Sequence, residues 1–134
     1  MSQDGSTRIL IADNDEDVLV ALERALEDEG YETAVTVSGN GALEVLSQGV
    51  FDVLVLDDHL SDGHCIQVLT QFQRHGRKPL VVVTYHQLPS LAEQKQMRSL
   101  GVNTWVSKRS HTELVRTVAH LLHPLEQSTE QLDS

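Results

Sequence analysis

Val53 to Leu56 (Val-Leu-Val-Leu) form an unbroken apolar run that stops abruptly at Asp57. A short apolar run without alternation suits a strand buried on both faces, and such strands belong to parallel sheets covered by helices. In sheets of that kind, ligands and chemistry gather in the crevice beyond the carboxyl ends of the strands. Asp57 is placed at such an end, so the rest of the chain matters for what it brings there.

Arg8 to Ala12 repeat the pattern, an apolar run closed by Asp13, Asn14, Asp15, Glu16 and Asp17. Val18, Leu22, Ala25 and Leu26 then recur at helical spacing. Asn14 or Asp15 can cap that helix, and the acids after it favour its positive end, which accounts for part of the acidic cluster without any chemistry. The same reading predicts strands over Thr33–Val37, Val53–Asp57, Leu80–Val83 and Thr104–Ser107. Helices are predicted over Gly39–Gln48, from Ile66 to a stop near His75-Gly76, over about Ser90–Leu100 and from Ser110 to just before Pro124. The fourth helix has only a weak face, sketched by Leu91, Gln94, Met97 and Arg98. Five strands each followed by a helix predict a doubly wound α/β domain over residues 8–123. Residues 1–7 then form a polar extension, and residues 124–134 a polar tail or the start of a linker.

The net charge of −10 argues against a nucleic-acid surface, because phosphate contacts need clustered Lys and Arg. Cys65 is the only cysteine, so no intramolecular disulfide is expected. No apolar run reaches membrane-spanning length. Together these readings point to a cytoplasmic protein without membrane or direct nucleic-acid contacts.

Asp13, Asp57, Thr84 and Lys108 should meet on one edge of the sheet, each just past a strand. Two carboxylates with loop carbonyls suit a hard divalent cation such as magnesium. A lysine supplies a point charge for phosphate, and a threonine hydroxyl adds a hydrogen bond. A carboxylate beside such a cation can act as a nucleophile toward a phosphoryl donor.

Ile9-Leu10-Ile11-Ala12-Asp13-Asn14-Asp15, Asp52-Val53-Leu54-Val55-Leu56-Asp57, Val81-Val82-Val83-Thr84 and Trp105-Val106-Ser107-Lys108 together resemble the receiver domains of two-component response regulators. The resemblance implies a flavodoxin-like fold with strand order 2-1-3-4-5. It implies that Asp57 accepts a phosphoryl group from a sensor histidine kinase or phosphotransfer protein, and that the signal passes to a downstream protein or output domain. Magnesium would be held by Asp13, Asp57, Asn14 and the carbonyl of His59. Thr84 and Lys108 would sense the phosphoryl group, and Trp105 would be the switch aromatic. The role is that of a signalling domain, not an enzyme.

Several residues depart from the family pattern. Asn14 stands where a second acid is usual, so magnesium is expected to bind weakly. Arg109 replaces a proline that follows a cis peptide. A cis bond before a non-proline residue costs roughly 2.5–4 kcal/mol, so a trans Lys108–Arg109 bond is expected, with some displacement of the loop and of Lys108. Tyr85 replaces a small residue and, with His59, is expected to narrow access to Asp57. Ser61, His64 and Cys65 replace a proline and an Asp-Gly pair, which should leave the loop after Asp57 less rigid.

Other chemistries are open to some of these residues. His59, His64 and Cys65 beside Asp58 and Asp62 could suggest zinc or copper, but their spacing fits no standard zinc pattern. A flavin carrier lacks a Ser/Thr/Gly-rich phosphate loop here. A pseudo-receiver that binds partners without phosphorylation is favoured by Asn14, Tyr85 and Arg109, and opposed by the intact Asp13, Asp57, Thr84 and Lys108. A homodimer through the last helix and its neighbours is open to the chain but not required by it.

Overall fold

The computed structural model describes residues 6–73 and 78–124. The main elements are β1 (Arg8–Ala12), α1 (Glu16–Glu27), β2 (Glu32–Thr36), α2 (Gly39–Gln48) and β3 (Val53–Asp57). A hairpin of β4 (His59–Leu60) and β5 (Gly63–His64) follows. Then come α3 (Cys65–Phe72), β6 (Leu80–Tyr85), α4 (Leu91–Ser99), β7 (Val102–Ser107) and α5 (His111–Leu122). The five long strands form one parallel sheet in the order β2-β1-β3-β6-β7. With the hairpin set aside, this is the 2-1-3-4-5 order of a flavodoxin-like (βα)5 fold.

β3 sits at the centre and all five of its residues are buried. Leu54 and Leu56 face one core with Ala42, Leu69, Phe72 and Met97 from α2, α3 and α4. Val53 and Val55 face a second core with Leu19, Leu22 and Leu26 of α1 and Leu114 and Val118 of α5. The absence of alternation in β3 follows from this: both faces are covered, so neither can be polar.

Helix starts are set by side chains that accept from otherwise unpaired amides. Asp15 caps α1 through the amides of Asp17 and Val18, which settles the choice left open between it and Asn14. Ser90 and Glu93 form a capping box on α4, and Ser110 caps α5.

Some expectations need correction. β7 begins at Val102, earlier than the sequence pattern suggests, because a bulge lets polar Asn103 share the strand. Val102 pairs with Val81 and Thr104 with Val82, while the Asn103 side-chain carbonyl accepts from the Val81 amide at 2.8 Å. β2 is shifted by one residue, and Val37 lies beyond its end. In α4 only Met97 is buried, and Leu91 is 82% exposed, so the expected apolar face reduces to one anchor. The described part of α3 ends at Phe72. The stop assigned to His75-Gly76 and the tail of residues 125–134 lie outside the described residues. The Lys108–Arg109 bond is trans, as expected.

Candidate functional site

Parallel register brings the site together. Asp57, the last residue of β3, pairs with Thr84 on β6, and the Asp58 amide donates to the Thr84 carbonyl at 3.0 Å. β1 contributes Asp13, just beyond Ala12, whose amide donates to the Thr36 carbonyl. β7 delivers Lys108, whose amide donates to the Tyr85 carbonyl at 2.9 Å. Asp13, Asp57 and Thr84 are 1%, 3% and 4% exposed, so the floor of the site is buried.

The Lys108 ammonium lies 2.8 Å from Asp57 Oδ2 and 2.8 Å from Asp13 Oδ2. Its contact with Asp57 is a hydrogen bond. Toward Asp13 it is off the hydrogen-bond direction, so buried Asp13 Oδ2 has charge attraction but no aligned donor. Asp13 Oδ1 accepts from the Asp15 amide at 2.9 Å, and Asp57 Oδ1 from the His59 amide at 3.3 Å. Burial pushes the Asp57 carboxyl above its ordinary value, against the hydrogen bond and charge of Lys108 and the His59 amide, while the Asp58 side chain adds to the rise. For Lys108, burial pulls downward, but the two carboxylates within 2.8 Å, Asp13 and Asp57, outweigh it and hold the ammonium more firmly protonated than usual. Two carboxylates facing one ammonium leave negative charge uncompensated.

Residues 9–119 match the family model described as the response regulator receiver domain. The chain belongs to the response regulator receiver domains. It is 35% identical over 86 residues to the alginate biosynthesis transcriptional regulatory protein AlgB of Pseudomonas putida, covering 63% of this chain and 19% of that protein. It is 38% identical over 65 residues to the transcriptional regulatory protein PrrA of Mycobacterium bovis, covering 48% of this chain and 28% of that one. The chain therefore matches less than a third of the length of these relatives. Its fold is also that of a CheY-like receiver domain protein from Methanospirillum hungatei, with a TM-score of 0.82 at 21% identity, covering 92% of this chain and 99% of that one.

For this receiver domain, the side chains at the mouth matter as much as the floor. A cavity of about 590 Å³ opens over Asp57, lined among others by Asn14, Asp58, His59, His86, Leu88 and Lys108. Tyr85, expected with His59 to narrow access to Asp57, is not among the residues that line this cavity. Side chains alternate along an extended strand. Tyr85 therefore follows Val83 toward the α2–α3–α4 face, and His86, the next residue, takes the mouth. Counting two residues on from Thr84 would have found it. Lys108 is likewise not displaced by the trans bond after it; the ammonium reaches both carboxylates.

The loop after Asp57, expected to be less rigid for want of a proline, folds back on itself as a short hairpin. His59 pairs with His64 and Leu60 with Gly63 in a two-rung hairpin. Gly63 sits at φ 145°, a left-handed conformation that side chains rarely adopt. The His59 and His64 rings meet edge-on with centroids 4.8 Å apart. His64 Nδ1 accepts from the Ile66 amide at 3.1 Å and caps α3. A neutral His64 must then carry its proton on Nε2, which removes that nitrogen as a metal ligand. Among the described residues, no set of three or more His, Cys, Asp or Glu side chains is arranged to hold a metal. Cys65 is fully buried and its thiol is pushed up to about 12, first by burial and then by the charges of Asp58, Asp57 and Glu93. It is an inert core residue at neutral pH.

Trp105 is half-buried on β7, opposite Val83 and one register step from Thr84. Its indole N–H donates to Met97 Sδ at 3.2 Å, and the Arg98 guanidinium lies 4.8 Å from its ring centroid. Among the described residues, no helix is long and apolar enough to cross a membrane.

Proposed function

We propose that Asp57 is the phospho-acceptor of this receiver domain. One of its carboxylate oxygens attacks the phosphorus of a phosphohistidine on a sensor histidine kinase or phosphotransfer protein. The O–P bond forms as the P–N bond breaks, and the departing imidazole keeps the electron pair. The observation that carries this reading is the buried carboxylate at the end of β3, held 2.8 Å from the Lys108 ammonium. Lys108 is placed to exchange one anionic partner for another, from carboxylate to phosphoryl oxygen. Thr84, in register with Asp57, supplies the hydroxyl.

The donor set fits magnesium: buried Asp13 Oδ2 has no aligned donor, Asp57 stands beside it, and Asn14 and His59 line the adjoining cavity. Asp13, Asp57, the Asn14 side-chain oxygen and the His59 carbonyl would hold the ion. When bound, it supplies charge neutralisation for the transferring phosphoryl group. With Asn14 in place of an acid, the site carries one negative charge fewer and holds the ion weakly.

Trp105 then reports the state of Thr84 to α4 through its contacts with Met97 and Arg98. The receiver of this signal is a downstream protein or output domain, in a cytoplasmic pathway. AlgB and PrrA are named as transcriptional regulatory proteins. Any such role for this chain would run through a partner or a further domain, since its own charge of −10 does not suit DNA. Incubation with magnesium and acetyl phosphate, followed by intact mass, tests the reading. A gain of one phosphoryl group that disappears in Asp57→Ala is expected; no gain in the wild type, or one that persists in the variant, sinks it.

A further inference from the structure

The loop after Asp57 lacks a proline, with Ser61 at the tip of the β4–β5 hairpin, yet it is tied to the body of the domain by a side chain the site itself does not use. Asp62 Oδ1 accepts from the Gly39 amide at 2.8 Å, and Asp62 Oδ2 from the Asn40 amide at 2.9 Å. Both amides belong to the first turn of α2, where backbone donors have no partner within the helix. These two amides hold the Asp62 carboxyl below its ordinary value. The fit is close: a Cβ on Gly39 would stand 2.7 Å from Val68 Cγ2 and 3.2 Å from Asp62 Oδ1, so only glycine lets α2 begin this near the loop.

From this geometry we infer that Asp62 is a positioning residue for the cation site, fixing the His59 carbonyl by tethering the hairpin to the start of α2. The inference rests on the reading above in which that carbonyl helps to hold magnesium. The mechanical path is short. Asp62 anchors the hairpin tip, the rungs Leu60–Gly63 and His59–His64 carry the constraint back, and the His59 amide joins the base to Asp57 Oδ1 at 3.3 Å. His64 at the second rung is itself held by the reciprocal cap with Gln67, whose Oε1 accepts from the His64 amide at 3.0 Å. The segment that carries His59 is thus clamped at both ends, by α2 and by α3. Partners that orient a metal ligand from behind typically change metal affinity by about 10–100-fold when removed.

The test is a magnesium chloride titration of the whole chain, with no phosphoryl donor, read by Trp105 fluorescence and by the His59 amide in ¹H–¹⁵N spectra. Asp62→Ala should weaken magnesium binding about tenfold and shift the His59 amide before any metal is added. Asp62→Asn, which keeps one acceptor oxygen, should lose less. Gly39→Ala, which pushes the helix start away while leaving Asp62 in place, should reproduce the loss and covers the case in which Asp62→Ala does not fold. A drop in thermal midpoint with wild-type magnesium affinity in all the folded variants would make Asp62 a structural clip only and overturn the inference. If magnesium leaves the wild-type His59 amide unmoved while those of Asp13 and Asp57 respond, the His59 ligand reading itself fails, and the inference with it.

Discussion

The floor and the rim of the receiver site are built by different rules. On the floor, Asp13, Asp57, Thr84 and Lys108 sit at the ends of four parallel strands, and their neighbours are fixed by sheet register. At the rim, Asn14, His59 and His86 come from connecting loops, and nothing in the sheet dictates their identity. A strand end can be occupied by the wrong residue only at the cost of a buried charge or an empty contact. A loop residue can change with little effect on stability. In this chain the departures from the expected pattern at Asn14, Ser61 and Arg109 are exposed, while buried Cys65 is an exception.

Removing Lys108 should break the floor most severely. Lys108→Met leaves two buried carboxylates facing each other, and loss of one partner from a buried charge cluster costs about 3–5 kcal/mol. Urea unfolding at neutral pH measures this. Because the folded state raises the Lys108 pKa, its contribution is complete below the ordinary lysine value of 10.5 and is lost as pH rises through the raised one. The gap between wild type and variant should therefore close in strong alkali and persist at pH 9. A variant as stable as wild type at neutral pH would mean that the ammonium is not holding the carboxylates.

Asn14→Asp restores an acid at the rim and should tighten magnesium binding about tenfold, the size of one added charge-assisted ligand. A magnesium titration followed by Trp105 fluorescence reads it, and equal affinities would show that Asn14 is not a ligand. The smallest effect separates His86 from Tyr85. His86→Ala should change the decay rate of the phosphoaspartate by a few-fold, as expected of a side chain lining the cavity over Asp57. Tyr85→Ala, directed to the opposite face of β6, should leave it near wild type. The reverse result would return the gating role to Tyr85.

The same contrast explains what could be read from the sequence. The five long strands are legible because each is an apolar or β-branched run with an abrupt polar end, and the floor residues are legible because they are those ends. The start of β7 is hidden by Asn103, whose side chain takes over a ladder bond that a strand pattern assigns to backbone. The hairpin after Asp57 is hidden because two rungs of polar residues carry no periodic signal. The Asp62 tether spans the gap from the β4–β5 turn to the start of α2, so no local pattern marks it. Leu91 fits a helical stripe but is left in solvent, because the stripe it belongs to has only Met97 to bury. Local periodicity therefore says little about which polar groups will meet across the fold.

The Lys108 contacts also bear on folding order. They join the turn after β1 to the turn after β7, near opposite ends of the described chain, and reach across the sheet through Asp57. Contacts of such long sequence separation come at a high loop-closure cost and are slow to form. A chain lacking β7 would leave Asp13 and Asp57 with no counter-charge, so the acid cluster opposes collapse until the last strand docks. The buried acidic floor is therefore charge-balanced by a lysine that arrives with the last strand, so its completion is tied to the docking of β7 against the rest of the sheet.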